Sequence, residues 1–114
     1  MIFMDYENFK IETFIPEDYV DKLRESLNNI GALNVGGNYD NCMSVSKVTG
    51  YWRPLQGADP FQGTVNEVSK EEECKVEFRC RNKIVYKAVS TIKKVHPYEE
   101  PVINIIPLVE ISDK

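Results

Sequence analysis

A chain of 114 residues, 42% apolar and 28% charged, has the size and makeup of one folded domain and excludes a disordered segment. A net charge of −4, with 14 scattered Lys and Arg, lacks the basic patch a phosphate backbone requires, so nucleic acid is not an expected partner. No apolar run approaches the roughly 20 residues of a membrane span, and no membrane is expected either.

The start, Met1-Ile2-Phe3-Met4-Asp5, has no basic segment ahead of its apolar residues and does not read as a signal peptide. Cys42, Cys74 and Cys80 are odd in number and without CxxC spacing, which argues against a disulfide framework and a zinc ribbon. Both points favour a cytoplasmic chain with reduced thiols. The expected organisation is a single domain over 1–114, with 1–8 a loose lead-in and 109–114 a tail.

Phe9 to Ile15 alternates apolar and polar residues, which predicts a half-buried strand. Pro16 ends it and suits a first helical turn, and Glu17 and Asp18 complement a helix N-terminus. Val20, Leu23, Leu27 and Ile30 then define one helical face, which Gly31 closes as a left-handed cap. A second strand is expected over about Asn41 to Val48. The stretch from Thr49 to Thr64 is too long and too rich in Gly, Pro and aromatics for a plain turn.

Cys74, Val76, Phe78 and Cys80 alternate with Lys75, Glu77, Arg79 and Arg81, the cleanest strand pattern in the chain. The preceding acidic run, Glu71-Glu72-Glu73, reads as a solvated strand entry. Asn82 is the expected cap of a second helix, with Ile84, Ala88, Ile92 and Val95 on its apolar face and Lys93 and Lys94 in its last turn. Pro97 disfavours helical geometry at His96 and stops the helix there. Val102 to Ile106 is nearly all apolar, which predicts a strand covered on both faces. The order strand, helix, strand, strand, helix, strand predicts an α+β, ferredoxin-like βαββαβ fold: an antiparallel sheet with two helices on one face.

Three segments hold the candidate chemistry. His96-Pro97-Tyr98-Glu99-Glu100-Pro101 contains the single histidine, a tyrosine and two adjacent carboxylates. Imidazole and carboxylate are ordinary metal ligands, so His96 and Glu99, with Cys42 or Asp40 if the fold brings them near, form a candidate metal set. The same segment also suits a hydrogen-bonded corner, or a contact with a ligand or another subunit. As a base, His96 has no nucleophile identifiable by spacing. The glycine-rich stretch from Gly31 to Cys42, with Tyr39 and Asp40, lacks the lysine of a P-loop and reads as a turn. In the third segment Tyr51, Trp52 and Phe61 offer large apolar area and Arg53 a planar donor, either as interface anchors or as internal packing.

Together these segments resemble one family. Gly-Ala…Gly-Asn-Tyr-Asp-x-Cys (31–42), Thr-Gly-x-x-Arg-Pro-Leu-x-Gly-Ala-x-Pro-Phe-x-Gly (49–63) and His-Pro-Tyr-Glu-Glu-Pro (96–101) resemble the insert domain of the Nif-three-like dinuclear-metal-centre proteins, also found as a stand-alone protein. That insert is similar in fold to the CutA and PII signalling proteins. The resemblance runs from about Phe14 to Leu108 and implies a subunit that associates through its sheets, most often as a trimer. It does not carry over the dinuclear site or a hydrolase activity, because the family's metal ligands lie in flanking halves absent from this chain. The sequence departs from the pattern in three places: Leu33 stands where Gly is usual, Gly36-Gly37 adds a residue, and Asn41 stands where His is common.

The expectation is therefore a non-enzymatic, oligomeric regulatory or small-ligand-binding module. Its ligand or subunit contacts would come from His96, Tyr98, Glu99, Glu100, Tyr39, Asp40, Arg53, Tyr51, Trp52 and Phe61. Alternatives are a copper- or zinc-type protein using His96, Glu99 and Cys42, and a small-molecule hydrolase. No cofactor is implied beyond a candidate divalent metal, and the expected partners are further copies of the chain, a small ligand or another protein.

Overall fold

The computed structural model describes residues 5–111; the signal-peptide reading and the ends of the lead-in and tail lie partly outside them. Strand β1 (Asn8–Ile15) is followed by a 3-10 turn (Glu17–Tyr19), helix α1 (Val20–Asn29), strands β2 (Ser44–Trp52) and β3 (Ser69–Arg81), a second 3-10 turn (Asn82–Ile84), helix α2 (Val85–Val95) and strand β4 (Ile103–Pro107). The four strands form one antiparallel sheet in the order β2-β3-β1-β4, the ferredoxin-like arrangement.

Strict alternation sorts the two faces. Phe9, Ile11 and Ile15 of β1 and Val76, Phe78 and Cys80 of β3 form one buried cluster with Leu23 and Leu27 of α1 and Val85, Ala88 and Ile92 of α2. Burying each large apolar side chain contributes about 1.5–3 kcal/mol, and this cluster sets the register of β1 against β3. Leu33 is also wholly buried in it, so the departure from glycine there supplies core volume. Gly31, at φ +81°, ends α1 with its N–H on the Asn28 carbonyl, while Ala32 N–H reaches the Leu27 carbonyl.

The other face of the sheet is charged. Lys10, Glu12, Lys75 and Glu77 form a square of ion pairs of 3.4 to 4.0 Å across β1 and β3. The Asn104 amide donates to Glu12 at 3.0 Å and, with the two lysines, holds that carboxyl below its usual range despite partial desolvation.

Four expectations are corrected. β2 runs to Trp52, so Tyr51 and Trp52 are strand residues and the connecting loop begins at Arg53. Asn82 does not cap α2: it opens the 3-10 turn, and its amide donates to the Tyr6 carbonyl at 2.7 Å, fastening the lead-in to the fold. Glu73 is not solvated but buried. β4 is not covered on both faces: it is an edge strand paired with β1 alone, and Ile105 and Ile106 are exposed, as are Val102, Val109 and Ile111 around it. An apolar run cannot by itself reveal whether a strand lies inside or at the edge of a sheet.

β3 outruns β1. The β1–β3 register ends at Ile15 with Cys74, so Ser69–Glu73 and Val48–Trp52 continue as a two-stranded arm beyond the rest of the sheet. Among the described residues no helix is long and apolar enough to cross a membrane.

The cysteines divide by burial. Cys42 is exposed, whereas Cys74 and Cys80 are buried, and desolvation raises both of their thiols, Cys80 to about 11. In native buffer one thiol per chain will therefore react rapidly with an aromatic disulfide reagent, and three after denaturation. A second rapid thiol in the native protein would contradict this packing.

Candidate functional site

The site lies where the arm leaves the sheet. The α2 helix ends at Val95, and Pro97 forces His96 into an extended conformation (φ −68°, ψ 130°) while its N–H still reaches the Ile92 carbonyl. The imidazole turns inward and is only 6% exposed. Its Nε2 donates to the Phe14 carbonyl at 2.6 Å, where β4 has just stopped pairing with β1, and its Nδ1 accepts the Tyr98 N–H at 3.2 Å. Both bonds are made by one neutral tautomer, and both ring nitrogens are thereby engaged. Burial lowers the imidazole's pKa, and the Phe14 bond and the nearby Glu73 charge oppose that only in part.

Tyr98 continues the chain of contacts. Its ring lies 4.7 Å from the His96 ring, centre to centre, and its hydroxyl donates to Glu73 Oε2 at 2.7 Å. Desolvation and that carboxylate raise the phenol's pKa. Glu73 lies on the open face of the sheet, opposite the helices, because Cys74 and Val76 of the same strand face the core. Gly50 of β2 leaves room for it: a Cβ there would collide with the Glu73 carboxylate.

The loop after β2 folds back over this point. Trp52 Nε1 donates to the Gln62 carbonyl at 3.2 Å, Asn66 N–H reaches the Pro54 carbonyl at 2.6 Å, and Asp59 N–H is taken by Glu99 Oε1 at 2.8 Å. The rings of Trp52 and Phe61 lie 6.0 and 6.1 Å from that of Tyr98, both tilted by 43°. Together these residues enclose a cleft of about 770 Å³ with walls from Trp52, Arg53, Pro54, Phe61, Tyr98 and Glu100 and a floor of Phe14, Val48 and Glu73. That volume is typical of small-molecule sites.

Of the residues singled out in the sequence, Tyr51, Trp52, Arg53, Phe61, Tyr98, Glu99 and Glu100 line this cleft, and His96 braces it from behind. Tyr39, Asp40 and Cys42 do not line it. Tyr39 is exposed, and Asp40 and Cys42 belong to a separate polar knot on the end of α1, where Asp40 accepts from the Asn28 and Asn41 amides and Arg24 donates to Asn41. Those two amides hold the exposed Asp40 carboxyl below its usual range. Cys42 Sγ approaches the Asp40 carbonyl at 3.6 Å. Among the described residues no three His, Cys, Asp or Glu side chains gather as a metal ion would need. Sequence reasoning missed Glu73 and Phe14; their shared face follows from strand alternation, but their juxtaposition with Tyr98 does not.

The fold and the cleft define a ferredoxin-like, CutA/PII-like module with a loop-covered site at the base of its β2–β3 arm. No family profile matches the chain. It is 37% identical over 100 residues to a GTP cyclohydrolase 1 type 2 homolog of Halalkalibacterium halodurans, covering 88% of this chain and 27% of that protein. It is 32% identical over 105 residues to the homolog of Staphylococcus epidermidis, covering 92% and 28%. The chain thus spans about a quarter of the length of the curated relatives it matches. A Bacillus cereus protein related to NIF3 superposes with a TM-score of 0.78 at 27% identity, over 92% of this chain and 26% of that one. The divalent ion tolerance protein CutA1 of Ehrlichia chaffeensis superposes at 0.67 and 19% identity, over 95% and 87%. The chain is thus similar, in sequence and in fold, to a Nif-three-like domain of CutA/PII-like type.

Because His96 is held neutral, it stabilises the fold fully above the unfolded histidine pKa of about 6.5 and progressively less as pH falls through its lowered folded value. Melting temperature will therefore drop from about pH 6.5 downward, and His96→Gln will flatten that slope while lowering stability at neutral pH. An equal slope in the variant would show that another group governs the acid limb.

Proposed function

We propose that the chain is a non-enzymatic, self-associating module that binds a small ligand in the cleft beside Tyr98. The observation that carries this reading is the cleft itself: two loops far apart in sequence are latched together by Glu99 and Asp59 over a floor of strand residues. The engaged nitrogens of His96 favour binding over turnover, since a general base needs a free acceptor. The cyclohydrolase name belongs to relatives of which the match covers about a quarter, and the ion-tolerance name to a protein similar in fold alone.

Self-association is supported by the edge strand β4, whose Ile105 and Ile106, on opposite faces of the sheet, are both exposed in the protomer. Static light scattering will give a mass several times that of one chain, with a trimer expected, and Ile105→Lys with Ile106→Lys will lower it to that of a single chain without unfolding it. A strictly monomeric mass at high concentration overturns the assembly.

A divalent metal is the second reading; it would have to draw on the cleft carboxylates Glu99 and Glu100 rather than on His96, whose ring nitrogens are both engaged. Titration with Zn²⁺ or Cu²⁺ will show the same stoichiometry for the wild type and His96→Gln. Loss of a bound metal in that variant would restore His96 as a ligand.

A further inference from the structure

Glu73 presents a carboxylate to the cleft from a residue that is otherwise buried. The residue is 8% exposed, and one of its oxygens, Oε2, is taken by the Tyr98 hydroxyl. The other, Oε1, lies over Gly50 and takes no hydrogen bond or ion pair from any described residue. The nearest lysine along the same strand face, Lys75, is committed to Glu12 and Glu77. Oε1 faces the cleft and is left to water, so a ligand that displaces that water must bring a donor or a cation of its own to replace the lost hydration.

The surroundings favour one kind of replacement. Glu73, Glu99 and Glu100 line the cleft against a single cation, Arg53. The rings of Trp52, Phe61 and Tyr98 gather at one side, and aromatic faces attract cations while accepting apolar groups. An anionic ligand would meet three carboxylates, and a neutral apolar one would leave Oε1 unpaired.

We infer that the cleft takes a small molecule bearing a primary ammonium on an aromatic body, the ammonium donating to Glu73 Oε1 and the body lying against Trp52, Phe61 and Tyr98. This rests on the reading of the cleft as a ligand site and adds the chemical class of the ligand. Gly50 then has a ligand-linked role: it leaves Oε1 uncovered on the strand surface. Glu73 sets charge selectivity, and Tyr98 orients its carboxylate.

Trp52 is the only tryptophan of the chain, so its emission reads occupancy of the cleft directly. The full chain is titrated at neutral pH with 2-phenylethylamine, its neutral isostere 2-phenylethanol and the anion 3-phenylpropionate. The amine will give a saturable change with an affinity about tenfold above that of the alcohol, the scale of one hydrogen bond to a charged group, and the anion none. Glu73→Gln keeps an acceptor for Tyr98 and will bring the amine down to the alcohol. Tyr98→Phe keeps the ring but no longer orients the carboxylate and will weaken the preference, which tests the inference even if Glu73→Gln fails to fold; an unchanged preference there overturns the placement at Glu73. Equal binding of amine and alcohol overturns the cation class but leaves a ligand site. An amine preference that survives Glu73→Gln places the ammonium elsewhere and overturns the assignment. No saturable change with any of the three overturns the inference together with the ligand site; this is also the outcome if a lysine from a second copy already occupies Oε1.

Discussion

The neutral imidazole of His96 is the constraint on which the rest of the site depends. It sits where three elements end: the last turn of α2, the final residues of β1 and the entry to β4. By donating to the Phe14 carbonyl and accepting the Tyr98 N–H, it converts a proline-flanked corner into a fixed bracket. Tyr98 can then reach Glu73, and Glu99 can hold Asp59. Each bond is modest alone, but in a partly buried network each also spares a polar group from being left unpaired, which is the larger effect.

The two faces of the sheet divide the work. The helix-covered face supplies the hydrophobic stabilisation that makes the bracket affordable, through residues such as Ile11, Leu27, Val76 and Ile92. The open face carries charges instead. Over most of its length these neutralise one another in the square of Lys10, Glu12, Lys75 and Glu77, where exposure and screening keep each pair weak. At the arm the pattern changes: Glu73 is buried by the returning loops and has an aromatic hydroxyl for its partner rather than a lysine. Similarity to much longer relatives carries over this architecture; the chemistry of the cleft is read from the side chains of this chain.

The sequence was informative where local physics decides. The alternation of Cys74 to Cys80, the apolar faces of both helices, the stop imposed by Pro97 and the positive φ of Gly31 are all set by neighbours a few residues away. It was misleading where the outcome depends on what lies across space. Val102 to Ile106 has the composition of an interior strand, yet β4 is an edge because, among the described residues, no strand but β1 pairs with it. Glu73 is one of three consecutive glutamates, and only its side of the pleat and the return of the loop bury it. Asp40 and Cys42 share a motif with the corner segment in the resemblance, but the fold leaves them on the end of α1 rather than in the cleft.

What the sequence determined by itself was the element order and the segments that matter, because hydrophobic period, proline geometry and glycine conformation act locally. What only the tertiary structure decided was which of those residues meet. Tyr98 and Glu73 are 25 positions apart, and His96 and Phe14 are 82 apart. Contacts at such separations arise only after strand pairing has fixed the register, and no local pattern encodes them.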